Sequence, residues 1–215
     1  MTFEITLDDT ICLIDPVVSG KISNEMRALP STLDVHHIKR CDLILITSEE
    51  SAYCEPETVK EIADRTYASV VAPKPALTKI DVAERFKVDV RTWDKFLIKG
   101  VDIEVVRAVH PHSQYPVGYI IKTPTWRIYH SGATYTFSDI GKHACDVALL
   151  PIGGNYAMDP FDAANACKDI RPKYAIPMGY NTIKSMEQDA GEFAKGLGER
   201  TKAIVLKPGA IAKLP

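Results

Sequence analysis

The chain is built from short apolar runs rich in β-branched residues, and each run is cut off by a turn signal before it reaches helical length. Thr10–Asp15 (TICLID), Asp42–Thr47 (DLILIT), Ser69–Ala72 (SVVA), Gly118–Lys122 (GYIIK), Arg127–His130 (RIYH), Asp146–Leu150 (DVALL), Tyr174–Pro177 (YAIP) and Ala203–Leu206 (AIVL) read as strands. Val101–Val109 alternates as VDIEVVRAV, the period of a strand with one buried face.

Three segments supply helices. Pro56–Arg65 opens on an early Pro and spaces Val59, Ile62 and Ala63 helically. Asp159–Asp169 opens with an Asp cap followed by Pro. Ser185–Leu197 reads as a Ser-capped helix with Phe193 and Leu197 four apart. Strands and helices alternate on the flanks. The middle, roughly residues 86–130, is strand after strand, with turns at Lys99-Gly100 and Thr123-Pro124. This predicts one α/β domain over residues 1–215, with a sheet pair carrying helices on its outer faces.

Composition narrows function by exclusion. The 215 residues carry 26 basic and 28 acidic side chains, for a formal net charge of −2. No basic block stands out to attract nucleic acid. No apolar run approaches the roughly 18–20 residues of a membrane span, and the start shows no signal-peptide pattern. The five cysteines, Cys12, Cys41, Cys54, Cys145 and Cys167, are scattered and odd in number. That suits a reduced, cytoplasmic chain without a disulfide framework.

Six segments carry a resemblance: LIDPVVS (Leu13–Ser19), CDLILIT (Cys41–Thr47), VGYII (Val117–Ile121), RIYHSGAT (Arg127–Thr134), DVALLPIGGNYAM (Asp146–Met158) and IPMGYNT (Ile176–Thr182). In order and spacing the chain resembles the metallo-β-lactamase superfamily, in the branch of metal-dependent hydrolases similar to L-ascorbate-6-phosphate lactonase. The resemblance implies a four-layer αββα sandwich with a two-metal site in loops along one edge. There, paired divalent metals activate a bridging water. The short start reads as lacking the family's first strand and its Gly-His element.

The resemblance breaks where the metal should be held. The family's T-H-x-H-x-D-H reads here Thr47-Ser48-Glu49-Glu50-Ser51-Ala52-Tyr53, so Ser48, Glu50 and Tyr53 stand for His and Ala52 for Asp. Ala133 stands for the bridging Asp of G-D-T, and Gly179 for the His of M-H-Y-N-T. Of seven ligand positions, only His110 keeps a matching residue. Changes merely behind metal ligands cost about 10- to 100-fold in affinity, so six direct losses predict no bound metal and no cofactor. Both Asp positions have become Ala, which leaves no unpaired carboxylate behind.

The remnant pocket therefore comprises Ser48, Glu50, Ala52, Tyr53, His110, His112, His130, Ala133 and Gly179. The leading reading is a metal-free protein that binds a small molecule in this cleft or pairs with an active relative. The second is a lactone, phosphoester or thioester hydrolase rebuilt around His110, His112 and the Glu49–Glu55 loop, with Cys54 as a further nucleophile candidate. The third is an oligomer subunit that uses Tyr115, Trp126 and Tyr135 as a contact surface. His130 and Asp15 read as architectural, Gly153-Gly154-Asn155-Tyr156 as a turn, and His36-His37 as surface.

Overall fold

The structure, a computed structural model, describes residues 2–7, 9–22, 25–28 and 30–214. The chain begins with a hairpin of β1 (Phe3–Leu7) and β2 (Thr10–Ile14). A small hairpin, β3 (Lys21–Ile22) with β4 (Glu25–Met26), follows. Then come β5 (Leu43–Leu45), α1 (Pro56–Thr66), β6 (Ser69–Ala72), α2 (Lys74–Leu77) and β7 (Lys87–Asp89). These complete a five-stranded sheet of order β1-β2-β5-β6-β7, parallel from β2 onward.

The second sheet is assembled from β8 (Lys95–Ile98), β9 (Val101–Arg107), β10 (Val117–Lys122), β11 (Arg127–His130), β12 (Val147–Pro151), β13 (Tyr174–Met178) and β14 (Lys202–Ala203). Helix α3 (Pro160–Ile170) joins β12 to β13, and α4 (Ala190–Gly196) precedes β14. The first four strands pair antiparallel and the last four parallel, as the alternation of elements predicts. Lys99 (φ 51°) and Gly100 (φ 79°) form the two-residue hairpin between β8 and β9, with both positions left-handed as such turns demand.

The sheets face each other. Ile14, Leu43, Leu45 and Val71 of one pack with Val105, Tyr119, Ile121 and Leu149 of the other. The outer face of the first sheet is covered by Val59, Ile62 and Ala63 of α1 with Ala76 and Leu77 of α2. The outer face of the second is covered by Ala163, Ala166, Cys167 and Ile170 of α3 with Phe193 of α4. This is the expected αββα sandwich. Asp15 and Thr47 join the loops after β2 and β5, and the close approach of Gly153 to the Gly179 carbonyl joins the loops after β12 and β13; these loops carry the candidate site.

Three expectations need correction. A strand, β1, precedes Thr10; Phe3, Ile5 and Leu7 alternate with polar residues, and the reading missed this two-residue period. The Ser185-capped helix does not form. Lys184–Met186 is a single 3-10 turn, and α4 starts five residues after Ser185, capped by Asp189 accepting from the Gly191 N–H. Tyr115 and Trp126 are partly buried against the inter-sheet core rather than exposed, leaving Tyr135 as the exposed member of the three. His36 and His37 are exposed, as read.

Candidate functional site

The site starts at a buried carboxylate. Asp15 ends β2 in a left-handed conformation (φ 48°), and its two oxygens accept from Thr47 N–H (2.8 Å) and Thr47 Oγ1 (2.7 Å). Burial pushes the carboxyl up to about 7, against the pull of the two Thr47 bonds. Asp15 thus fixes the exit of β5, where the Ser48–Tyr53 loop begins. Its architectural reading holds.

That loop is a tight turn. Ser48 Oγ accepts from the Glu50 N–H, while the Glu50 carbonyl accepts from Tyr53 N–H (2.9 Å) and Cys54 N–H (2.8 Å). Two of the three Glu side chains in the Glu49–Glu55 loop are committed to structure. Glu49 is buried and accepts from Ser113 Oγ (2.7 Å) and the Gln114 N–H (2.5 Å), bonds that outweigh its desolvation and hold its pKa low. Glu55 accepts from Val18 N–H (2.7 Å), Ser19 N–H (3.1 Å) and Thr58 Oγ1 (2.6 Å), so it ties the loop after β2 to α1. Glu50 keeps its side chain about a quarter exposed.

His110 follows β9 and lies opposite. Its Nε2 stands 2.7 Å from Glu50 Oε2, and its Nδ1 stands 2.9 Å from the Tyr156 carbonyl. A carbonyl only accepts, so Nδ1 carries a proton; with Glu50 ionised, Nε2 must donate too. Burial opposes the charged ring, but the Glu50 bond and the Tyr156 carbonyl outweigh it and raise the His110 pKa above its usual value. Tyr53 packs edge-on against His110 (6.0 Å between centroids), and burial pushes its phenol upward. On the other side His112, exposed, stands 6.0 Å from His110 and 4.3 Å from the Tyr156 ring.

The remaining predicted positions divide. Ala133 is buried beside this group's loops, and Gly179 (φ 65°) turns the chain after β13. His130 is fully buried, its Nδ1 accepts from the Gly132 N–H (3.2 Å), and burial lowers its pKa to about 3. It is a neutral structural ring. Cys54 is buried and its thiol is pushed up to about 12, so it is not a nucleophile. The Gly153–Tyr156 turn is confirmed by positive φ at Gly154, Asn155 and Tyr156. Its gift of a carbonyl to His110 was not legible; only the neighbouring glycines hinted that this backbone approaches something closely.

These residues do not fit a two-metal centre. Among the described residues no three His, Cys, Asp or Glu side chains gather as a metal would require. His110 Nε2, a nitrogen that could have reached a metal, is held by Glu50. Two open hollows, of about 500 Å³ beside α3 and about 600 Å³ beside Leu33–Arg40, include none of the remnant-pocket residues.

Comparison with known proteins supplies the lineage. Residues 1–179 match the beta-lactamase superfamily domain. The chain belongs to that superfamily. It is 37% identical over 211 residues to a UPF0173 metal-dependent hydrolase of Pyrococcus furiosus, covering 92% of this chain and 89% of the relative. It is 35% identical to a UPF0173 metal-dependent hydrolase of Caldivirga maquilingensis, covering 99% of this chain and 94% of the relative. Among solved structures, Igni18, a metallo hydrolase from Ignicoccus hospitalis, superposes with a TM-score of 0.81 at 27% identity, over 97% of this chain and 92% of that one. A protein from Parabacteroides distasonis at 20% identity shares the fold, with a TM-score of 0.77 over 95% of this chain and 88% of that one. The family and its sandwich fold are therefore as the sequence implied. The relatives are named metal-dependent hydrolases, which favours the hydrolase reading over the metal-free binding protein. No helix among the described residues is long and apolar enough to cross a membrane.

Proposed function

We propose that this superfamily member is a hydrolase of carbonyl or phosphoryl esters in which Glu50, held in place by His110, does the proton transfer. The observation that carries this is the 2.7 Å contact between a buried imidazole and a carboxylate whose side chain is 27% exposed. Among the described residues Glu50 Oε1 has no protein hydrogen-bond partner, so it is free to accept a proton from water. As that water attacks the ester carbon or phosphorus, its proton passes to Glu50, the bond to the leaving oxygen breaks, and Glu50 returns the proton to that oxygen. His110, held by the Tyr156 carbonyl, orients the carboxylate and steadies its charge. It is a positioning residue. Acid–base assistance of this kind contributes about 10²- to 10⁴-fold.

The test is turnover of a lactone, phosphoester and thioester panel after exhaustive chelation. Activity should survive chelation and fall about 100-fold or more in Glu50→Gln, with a smaller loss in His110→Ala and a shifted pH profile. Turnover that depends on added metal, or full activity in Glu50→Gln, would overturn the proposal. One observation favours the binding-protein reading: both ring nitrogens of His110 are already engaged. That reading predicts no turnover of any ester at any pH.

A further inference from the structure

Tyr156 holds a conformation that a bulky side chain rarely adopts. Its φ is 101°, next to Asn155 at 50° and Gly154 at 62°. Such strain persists where the surroundings enforce it, and they do here. Gly153 is pressed onto the Gly179 carbonyl, so closely that a Cβ would stand 2.2 Å from that oxygen. Gly154 N–H donates to the Met158 carbonyl (3.0 Å), and Met158 N–H to the Thr134 carbonyl (3.0 Å). The enforced conformation has two results. It aims the Tyr156 carbonyl at His110, and it leaves the ring half exposed against exposed His112. A large aromatic ring left half in solvent on a strained backbone forgoes much of its burial, so stability alone does not explain it.

Resting on the hydrolase reading, we infer that Tyr156 and His112, beside the Glu50–His110 contact, form the leaving-group subsite and take a planar aromatic group, so that the preferred substrates are aryl esters. The rings Tyr53, His110, His112 and Tyr156 follow one another from the buried pair to solvent at centroid spacings of 6.0, 6.0 and 4.3 Å. A flat ligand ring continues this series by stacking or edge contact, the arrangements aromatic pairs prefer. The chemistry agrees. Where proton transfer by Glu50 supplies the assistance, an intrinsically stable leaving oxygen lowers the barrier that remains. A phenol, with a pKa of about 10, leaves far more readily than an alkoxide close to the roughly 15.7 of water.

The experiment separates this subsite from the hydrolase reading by using ligands that do not turn over. Acetanilide, the amide counterpart of phenyl acetate, is titrated into the full chain and followed through the His112 and Tyr156 ring NMR signals. N-cyclohexylacetamide is the non-planar control. Acetanilide should bind about fivefold or more tightly than the control, the preference should vanish in Tyr156→Gly, and Tyr156→Phe should keep it. Glycine adopts a φ of 101° freely, so Tyr156→Gly keeps the loop; its thermal midpoint verifies that the chain is folded. Equal binding of the two amides, no binding of either, or an unchanged preference in Tyr156→Gly would overturn the subsite. Phenyl acetate turnover is scored separately: selective acetanilide binding without turnover sustains aryl binding at Tyr156 and His112 but sinks the hydrolase reading and with it the leaving-group role, whereas turnover with equal amide binding sinks the subsite and sustains the hydrolase reading.

Discussion

Replacing Glu50 by Gln removes one charge from a contact whose partner is almost entirely buried, and the consequence depends on pH in a calculable direction. The His110 side chain is 3% exposed and that of Glu50 27%, at 2.7 Å. A hydrogen bond to a charged group contributes about 1.5–3 kcal/mol, and an exposed ion pair about 0–1. Partial exposure of Glu50 places this contact between them, at about 1–2 kcal/mol. The folded-state pKa of His110 is raised, so its contribution is complete below the unfolded value of about 6.5 and disappears as pH rises through the higher folded value. Near pH 6 the Gln variant should therefore melt lower by about 2–8 °C, taking about 2–4 °C per kcal/mol for a chain of this size. Toward pH 9 the neutral imidazole presents a lone pair at Nε2, which a Gln amide satisfies and a carboxylate repels. The gap should close or change sign. Thermal unfolding of both proteins from pH 6 to 9 measures it, and other titrating groups cancel in the difference. A gap that stays constant, or is widest at pH 9, would refute the ion pair.

Asp15→Asn should gain stability relative to the parent as pH rises from about 4 to 7, because the folded carboxyl titrates near 7 and so favours folding only while protonated; a pH series of melting midpoints decides this. Gly153→Ala should destabilise by about 3 kcal/mol or more, since its Cβ would meet the Gly179 carbonyl at 2.2 Å and backbone must shift; denaturant unfolding would show the loss, and a change under 1 kcal/mol would contradict the packing. Cys54 should resist iodoacetamide in the folded chain and react only on unfolding, because its thiol is buried and pushed up to about 12; mass spectrometry of the labelled peptides reads the outcome.

The sandwich was legible because buried strands write themselves as runs such as DLILIT and DVALL, and because α1 and α3 carry clear starts at Pro56 and at Asp159-Pro160. The αββα layering came from the family resemblance and from the order of elements together. What failed was local and had local causes. In β1 the alternation of Phe3, Ile5 and Leu7 is interrupted by Glu4 and Thr6, so no apolar run announces it. Before α4, two residues compete to cap, and Asp189 wins over Ser185, whose hydroxyl and N–H are both bonded to Glu25. The altered ligand positions were visible residue by residue. Their new contacts were not, because Glu50–His110 and Glu49–Gln114 join residues 60 and 65 positions apart, and no period or motif records such a meeting.

The Glu49 clamp has a consequence for how this molecule breathes. One carboxylate fastens the loop after β5, in the first sheet, to Ser113 and Gln114 after β9, in the second, and Lys79 adds a bond to the Glu49 carbonyl (2.8 Å). Loops on a rim usually exchange their amide hydrogens quickly and independently. Here the Gln114 amide can exchange only when Glu49 lets go, and then both loops are released together. The two sides of the cleft should therefore open as a single cooperative unit, with Gln114 among its slowest loop amides and with Glu49→Gln accelerating exchange on both sheets at once.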